Sequence, residues 1–467
     1  MDRTTKRVLI VAYLFPPIGG GGVQRALKMA KYLGQFGWEP HILTVAPSHH
    51  VTLDLSLLDQ LPEDVKIHRA SEIKIRRPVV VQGGGRVQSA SSEGVRSKLK
   101  KSAKAFLKTM KNAVMIPDDQ IMWYPAAVKK GLEVIREHHI DVIFSTAGPY
   151  TNHLVGRKLK QKTGKPWIAD FRDPWTQNMH RPQFKWRRRI EERMEKGVME
   201  SSDVLLTVTN SFAKNFNQKY PKLKRVEVIH NGYDAADYQD ICAVENPGKF
   251  TFIYAGIFYK ERNPRLLLEA IRALVDEGKI NKDHILLKFA GVFDYPGYTE
   301  NNDAVQRLGL EENVAIMGNL PHSQVLGEMK GANVLLLIND VTPDAGNYIP
   351  GKLFEYMAIG NPILALSLPG ESTEIIEKYR LGEVVQPKNL QEIKAGVLKL
   401  YEEWKEKAKE GSDPRQGKAL KHWGSDPHRG NAVIQRGSDP SSQTTDTSIY
   451  ERKNQAEQLA RLMDELI

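Results

Sequence analysis

At 467 residues, 41% hydrophobic and 26% charged, the chain exceeds one ordinary core and predicts two globular domains with appendages. A single cysteine, Cys242, excludes an internal disulfide framework and fits a reducing compartment, and no apolar run approaches the roughly 18 residues needed to span a bilayer. The net charge of +11 is compatible with anionic membranes, nucleic acid or phosphate-bearing substrates, so where the charge lies matters more than its sum.

The basic start leads through a short apolar run, residues 7–14, straight into a glycine-rich turn. This pattern predicts a first strand rather than a signal peptide, and a cytoplasmic protein. Further strands are expected at 40–45, 141–145, 167–171, 204–208 and 226–229, with helices at 23–36, 126–138, 151–162, 187–200 and 211–219. Such alternation implies βαβ crossovers and a mostly parallel sheet. A polar stretch, 233–248, then marks a domain boundary.

The second half repeats the theme, with strands at 250–255, 285–290, 314–317, 334–338 and 362–366. Helices are expected at 264–277, 305–309, 323–330, 352–359 and 390–404. The fold class is therefore α/β, two tandem doubly wound domains over residues 1–232 and 249–404. Beyond Trp404 the tetrapeptide Gly-Ser-Asp-Pro recurs at even spacing from Gly411, Gly424 and Gly437, which predicts a polar insertion over 405–447. In the closing segment, 448–467, Ala456, Leu459, Leu462, Met463 and Ile467 fall at helical spacing and form an apolar face that needs a partner.

Four places carry residues suited to chemistry. Gly19-Gly20-Gly21-Gly22 follows the first strand and opens a helix, where backbone can approach a ligand and helix N–H groups favour an anion. A nicotinamide-dinucleotide fingerprint fails on the same residues, because Arg25 stands where the third glycine belongs and the second strand ends apolar. Asp170, Arg172 and Asp173 end another strand, on the side where open α/β sheets bind ligands; they form either a catalytic group or an ion-pair staple. No histidine or cysteine cluster accompanies them to suggest a metal, and His153 on the preceding helix is a weaker candidate for acceptor contact.

In the second half, Lys260 and Arg262 follow the first strand and suit a diphosphate clamp. Gly351-Lys352-Leu353-Phe354-Glu355 turns into a helix, where Glu355 can accept two hydrogen bonds from a ribose diol while the helix start faces phosphate.

Residues 16–25, 170–175, 230–234, 256–264 and 351–358 together resemble, in that order, the motifs of family 4 retaining glycosyltransferases, which have the GT-B fold. The resemblance covers residues 5–404 and the last helix. It implies two Rossmann-like domains with a cleft between them. It also implies metal-independent, retaining transfer of a sugar from a nucleotide-diphosphate donor of UDP or GDP type, with no cofactor. Glu355 matches the family's ribose-binding glutamate; the other member of that pair is Asn347 here, assigned to acceptor or sugar binding. Gly20, Gly21 and Gly22 match the loop that closes over donor phosphates and acceptor. Lys260, Arg262, Lys352 and Leu353 fall in the donor motifs, although Ile257 replaces the usual arginine. Arg172 falls near a position where many relatives carry a histidine that contacts the transferred sugar, and Asp170, Arg172 and Asp173 are the catalytic candidates.

Residues 95–114 interleave six lysines with Val95, Leu99, Phe106, Met110 and Val114, a basic amphipathic pattern suited to an anionic membrane surface on the inner face. Arg187, Arg188 and Arg189 are expected to extend that patch. Such contact suits a glycan or lipid-linked acceptor in cell-surface polysaccharide synthesis. Nucleic acid is not expected as a partner, since no recognised binding module accompanies the charge. Two rivals remain at this point: a nucleotide-sugar epimerase on the same scaffold, and a non-catalytic scaffold that binds nucleotide or membrane.

Overall fold

The computed structural model describes residues 5–46, 53–72, 115–178, 184–259, 261–409 and 446–467. The lysine-rich segment 95–114, Lys260 and the repeats at Gly411, Gly424 and Gly437 lie outside the described residues. The chain divides into two compact units, Met1–His230 with Gln455–Ile467, and Asn231–Asn454.

The first unit is built on β1 (Lys6–Val11), β2 (Trp38–Val45), β3 (Lys66–Ala70), β4 (Val142–Thr146), β5 (Trp167–Phe171), β6 (Val204–Thr207) and β7 (Val226–Val228). They form one parallel sheet in the order β3-β2-β1-β4-β5-β6-β7. Val8, Leu9, Ile10 and Val11 are fully buried in succession, as a parallel strand covered on both faces requires. Helix Gln24–Leu33 follows β1, and helix Thr151–Thr163 follows β4. Sequence order reverses between β1 and β4, so the loops after these two strands diverge and leave a crevice for a ligand.

The second unit repeats the plan with β8 (Phe250–Ile257), β9 (Ile285–Val292), β10 (Val314–Gly318), β11 (Val334–Ile338), β12 (Ile363–Leu366) and β13 (Gly382–Val385). Their order is β10-β9-β8-β11-β12-β13, again parallel throughout, with the reversal between β8 and β11. The expected α/β class, two doubly wound sheets in tandem, is what the chain forms.

The last helix, Arg452–Asp464, joins the first unit. Ala456, Leu459, Ala460, Leu462 and Met463 enter one core with Val8, Ile10, Trp38 and Ile42. Asp464 anchors its end, accepting from Trp38 Nε1 at 2.8 Å and from Lys6 Nζ at 2.6 Å. Ile467, expected on the apolar face, lies past the helix end and stays 59% exposed.

Four elements differ from expectation for identifiable reasons. Strands β3 and β13 are sheet edges, and β3 reads Lys-Ile-His-Arg-Ala, because a strand paired on one side needs no continuous apolar run. Helix Glu371–Lys378 was not expected either; its first residues, Glu371, Ser372 and Thr373, are polar yet buried. The helix expected at 305–309 runs instead over Glu300–Arg307, where Glu300 and Asp303 in the first turn complement the helix dipole. Arg187, expected on a surface patch, turns inward: its Nε donates to buried Glu191 at 2.6 Å and its Nη2 to the Pro117 carbonyl at 2.9 Å.

Candidate active site

In the first unit the loop after β1 carries Gly20, Gly21 and Gly22, the first two exposed. Gly20 adopts φ +102°, a conformation that favours glycine, and a β-carbon on Gly20 or Gly21 would meet nothing within 4 Å. The loop is therefore open toward solvent at the β1/β4 reversal. One guanidinium ties it to the loop after β4. Arg172 Nη1 donates to the Gly22 carbonyl at 2.9 Å and Nε to the Ala147 carbonyl at 2.7 Å, with Nη2 also on Ala147. Burial is the main influence on Arg172 and lowers its pKa, with nearby Asp170 opposing. This geometry makes Arg172 a positioning residue for both loops.

Asp170 is wholly buried. Its two oxygens each accept from Arg25 at 2.9 Å, and Thr146 Oγ1 donates to Oδ2 at 2.7 Å. A buried carboxylate so engaged holds the sheet's C-terminal edge together, as an ion-pair staple does. Asp173, three residues further on, is exposed.

His153, expected near an acceptor, has no exposed surface. Its ring stacks on Phe171 with centroids 4.2 Å apart, and Nδ1 lies 2.8 Å from Ser145 Oγ. Burial pushes its pKa down to about 3, so it carries no charge at neutral pH. His153 thus packs against Phe171 and Ser145 within the first unit.

In the second unit the groups gather at the β8/β11 reversal. β8 runs out through Tyr254, Ala255 and Gly256, and Gly256 adopts φ +147°. A β-carbon there would come within 2.9 Å of Lys352 Nζ, so the ammonium lies directly against this backbone. Lys352 sits in the first turn of helix Gly351–Ile359, whose N-terminus has no side-chain cap. Its Nζ rests 3.8 Å from the centroid of the Tyr254 ring, and no carboxylate among the described residues forms an ion pair with it. Burial first, and then the charge of Arg262, push Lys352 down to about 7.

Arg262 is held by Asp340, just past β11, through a salt bridge to Oδ2 and a 3.3 Å bond from Nε to Oδ1. Tyr259 and Arg262 also exchange backbone bonds of 2.9 and 3.1 Å, closing the turn that presents the guanidinium. Glu355, one turn along from Lys352, accepts from His322 Nε2 at 3.2 Å, and this bond raises the His322 pKa. The helix is fixed beneath by Tyr356, whose hydroxyl donates to the Leu336 carbonyl of β11 at 2.9 Å. Leu353 is a core residue: its side chain is fully buried and its N–H donates to the Pro350 carbonyl at 3.0 Å. Asn347 ends a short turn, Ala345–Asn347, and is partly exposed. Ile257 is 41% exposed at the end of β8.

The structure thus brings together Arg262, Lys352 and Glu355, two cations and one carboxylate around the start of a helix. Tyr254, Asp340 and His322 complete the group and were not singled out from the sequence. Asp340 had a readable signal, since Asn339-Asp340 follows directly on an apolar strand. Two doubly wound parallel sheets, each with ligand-type loops at its reversal, define the GT-B architecture.

Comparison with known proteins agrees. Residues 19–237 match Glycosyltransferase Family 4, and residues 243–414 match Glycosyl transferases group 1. The chain belongs to the family 4 glycosyltransferases. Its fold is shared with sucrose-phosphate synthase from Thermosynechococcus elongatus, at 13% identity and TM-score 0.58, over 99% of each chain. A glycosyltransferase from Rickettsia africae aligns at 14% identity and TM-score 0.57, over 99% of this chain and 98% of that one. Anabaena HepE, solved in complex with UDP, aligns at 14% identity and TM-score 0.58, over 99% of this chain and all of its own (100%). The search of curated proteins gave no match. No helix among the described residues is long and apolar enough to cross a membrane.

Proposed function

We propose that this glycosyltransferase moves a sugar from a nucleotide-diphosphate donor to a glycan or lipid-linked acceptor, with retention at the anomeric carbon, in cell-surface polysaccharide synthesis. The observation that carries the reading is Lys352, an ammonium without a carboxylate ion-pair partner among the described residues, poised over Tyr254 at an uncapped helix start. A diphosphate supplies the missing anion, and the helix dipole adds to the attraction. Arg262, kept in place by Asp340, is the second cation. As the donor's glycosidic bond breaks, charge builds on the leaving diphosphate, and these pre-positioned cations stabilise it.

Glu355 takes the ribose diol, exchanging its bond with His322 for the ligand's hydroxyls. Residues 249–404 bind the donor and residues 1–232 the acceptor, with Gly20, Gly21 and Gly22 offering backbone N–H groups to anionic oxygens. Asp173 and Asn347 are exposed or partly exposed and suit sugar hydroxyls. Lys260, by its place in the sequence, shares the diphosphate. With Asp170 occupied by Arg25, retention proceeds without that carboxylate as nucleophile; the leaving phosphate accepts the acceptor's proton while the protein supplies positioning. Residues 95–114 bring the enzyme to an anionic inner membrane surface, where a lipid-linked acceptor resides.

The test is a panel of UDP-, GDP- and ADP-sugars incubated with free and lipid-linked oligosaccharides, following nucleotide release and product anomeric configuration. HepE's bound UDP makes the uridine series the first to try. Acceptor-dependent release with a retained anomer is the expected result. Conversion of the donor to its epimer without acceptor would overturn the reading.

A further inference from the structure

Three histidines distant in sequence meet on one face of the first sheet. In the pairing of β2 with β3, His41 lies opposite Lys66 and Leu43 opposite His68, so strand alternation puts both imidazoles on the same side. Helix Tyr124–Glu137 ends over that face and delivers His138 at its C-terminal cap. The ring centroids are 5.3 Å apart for His41 and His68, 4.6 Å for His41 and His138, and 5.1 Å for His68 and His138. One nitrogen from each ring can be chosen so that all three lie within 4.8 Å of one another. His41 is wholly buried.

The surroundings add a second observation. His41 Nδ1 lies 3.1 Å from His68 Nε2, while its other nitrogen, Nε2, lies 3.1 Å from Glu39 Oε1. Glu39 is itself fixed, by Lys66 Nζ at 2.7 Å and Arg7 Nε at 2.9 Å, and Arg7 also donates to the His138 carbonyl at 3.1 Å. A carboxylate bound to the far nitrogen of an imidazole is the arrangement that orients and strengthens a histidine metal ligand. With zinc–nitrogen bonds of about 2.0–2.1 Å, two nitrogens of a tetrahedral site lie about 3.3 Å apart, close to the His41–His68 separation.

We propose that His41, His68 and His138 bind one divalent cation of the zinc class (Zn²⁺, Co²⁺, Ni²⁺ or Cu²⁺), with water as fourth ligand and Glu39 orienting His41. The site lies away from the C-terminal strand ends that carry the glycine loop. Its task is to clasp the edge strand β3 to β2 and to the helix end, three elements whose own sequences give β3 little apolar hold.

The experiment uses the full chain, free of any affinity tag and stripped with a chelator, titrated with Zn²⁺ by calorimetry and with Co²⁺ by visible absorption. One ion per chain is expected, with the visible bands of tetrahedral Co²⁺ and a rise in Tm on Zn²⁺ addition. His138→Ala and His68→Ala, checked for folding by circular dichroism, should each lower affinity by about tenfold or more, and Glu39→Gln by about tenfold. Should His68→Ala fail to fold, half-buried His138 and Glu39 carry the test. Absence of stoichiometric uptake by the wild type, or affinity unchanged in His138→Ala and Glu39→Gln, overturns the proposal and assigns any binding to histidines elsewhere.

Discussion

Arg25 and Asp170, from the first helix and the fifth strand, form a two-pronged ion pair with both nitrogen–oxygen distances at 2.9 Å, and both side chains are buried. Arg25 also donates to the carbonyls of Ile229 and His230 at 3.0 and 2.9 Å, so one guanidinium links the glycine loop's helix, β5 and the end of the first unit's main segment. Removing one partner leaves the other charge uncompensated. Asp170→Asn is therefore expected to lower stability by about 3–5 kcal/mol, read from urea unfolding curves. A curve superimposable on the wild type would contradict the role assigned to the pair.

Lys352 gives a pH signature. Its folded value near 7 lies below its ordinary value of 10.5. Between the two, the unfolded chain holds a proton that the folded chain lacks, so stability should rise with pH across that window and level off below it. The stability difference between wild type and Lys352→Met should accordingly shift in favour of the wild type as pH climbs from 7 toward 10.5. Diphosphate binding requires the ammonium, so affinity should fall as pH rises above 7, with proton uptake on binding in that range. Calorimetry in buffers of different ionisation enthalpy measures the uptake.

Glu355→Ala should weaken nucleotide binding by about tenfold or more, since a hydrogen bond to a charged group contributes roughly 1.5–3 kcal/mol. His322→Ala should leave folding intact, because the His322 side chain is largely exposed and bonds to Glu355 at the surface. A folded Glu355→Ala variant with wild-type affinity would remove Glu355 from the ribose.

Gly291, at the end of β9, adopts φ +113°, and a β-carbon there would fall 2.1 Å from the Gly256 carbonyl oxygen. Because that oxygen is backbone, Gly291→Ala must displace the end of β8, against which Lys352 lies. A loss of stability of about 1–3 kcal/mol and weaker nucleotide binding are expected together, by thermal unfolding and titration.

Much of this was legible in the chain itself. Buried parallel strands announce themselves as apolar runs, and the loops at 19–22 and 256–262 and the helix from 351 follow such runs directly. Arg172 illustrates the limit: its place after β5 was readable, but its bonds to Ala147 and Gly22 exist because β4 and β5 are neighbours, which depends on strand order. The same holds for Asp170, whose partner Arg25 sits far earlier in the chain. Leu353 and His153 fell in suggestive positions, yet helical periodicity turned both toward the core. The cluster of His41, His68 and His138 had no signal at all, because one member lies on a polar edge strand and their spacing follows no motif.

The central claim is that Lys352 holds the donor's diphosphate, and calorimetric titration of UDP and GDP into wild type and Lys352→Met at pH 6.5 tests it most directly. The account predicts one nucleotide bound per wild-type chain, and affinity about tenfold lower or worse in the folded variant. Equal affinity in the two proteins would contradict it.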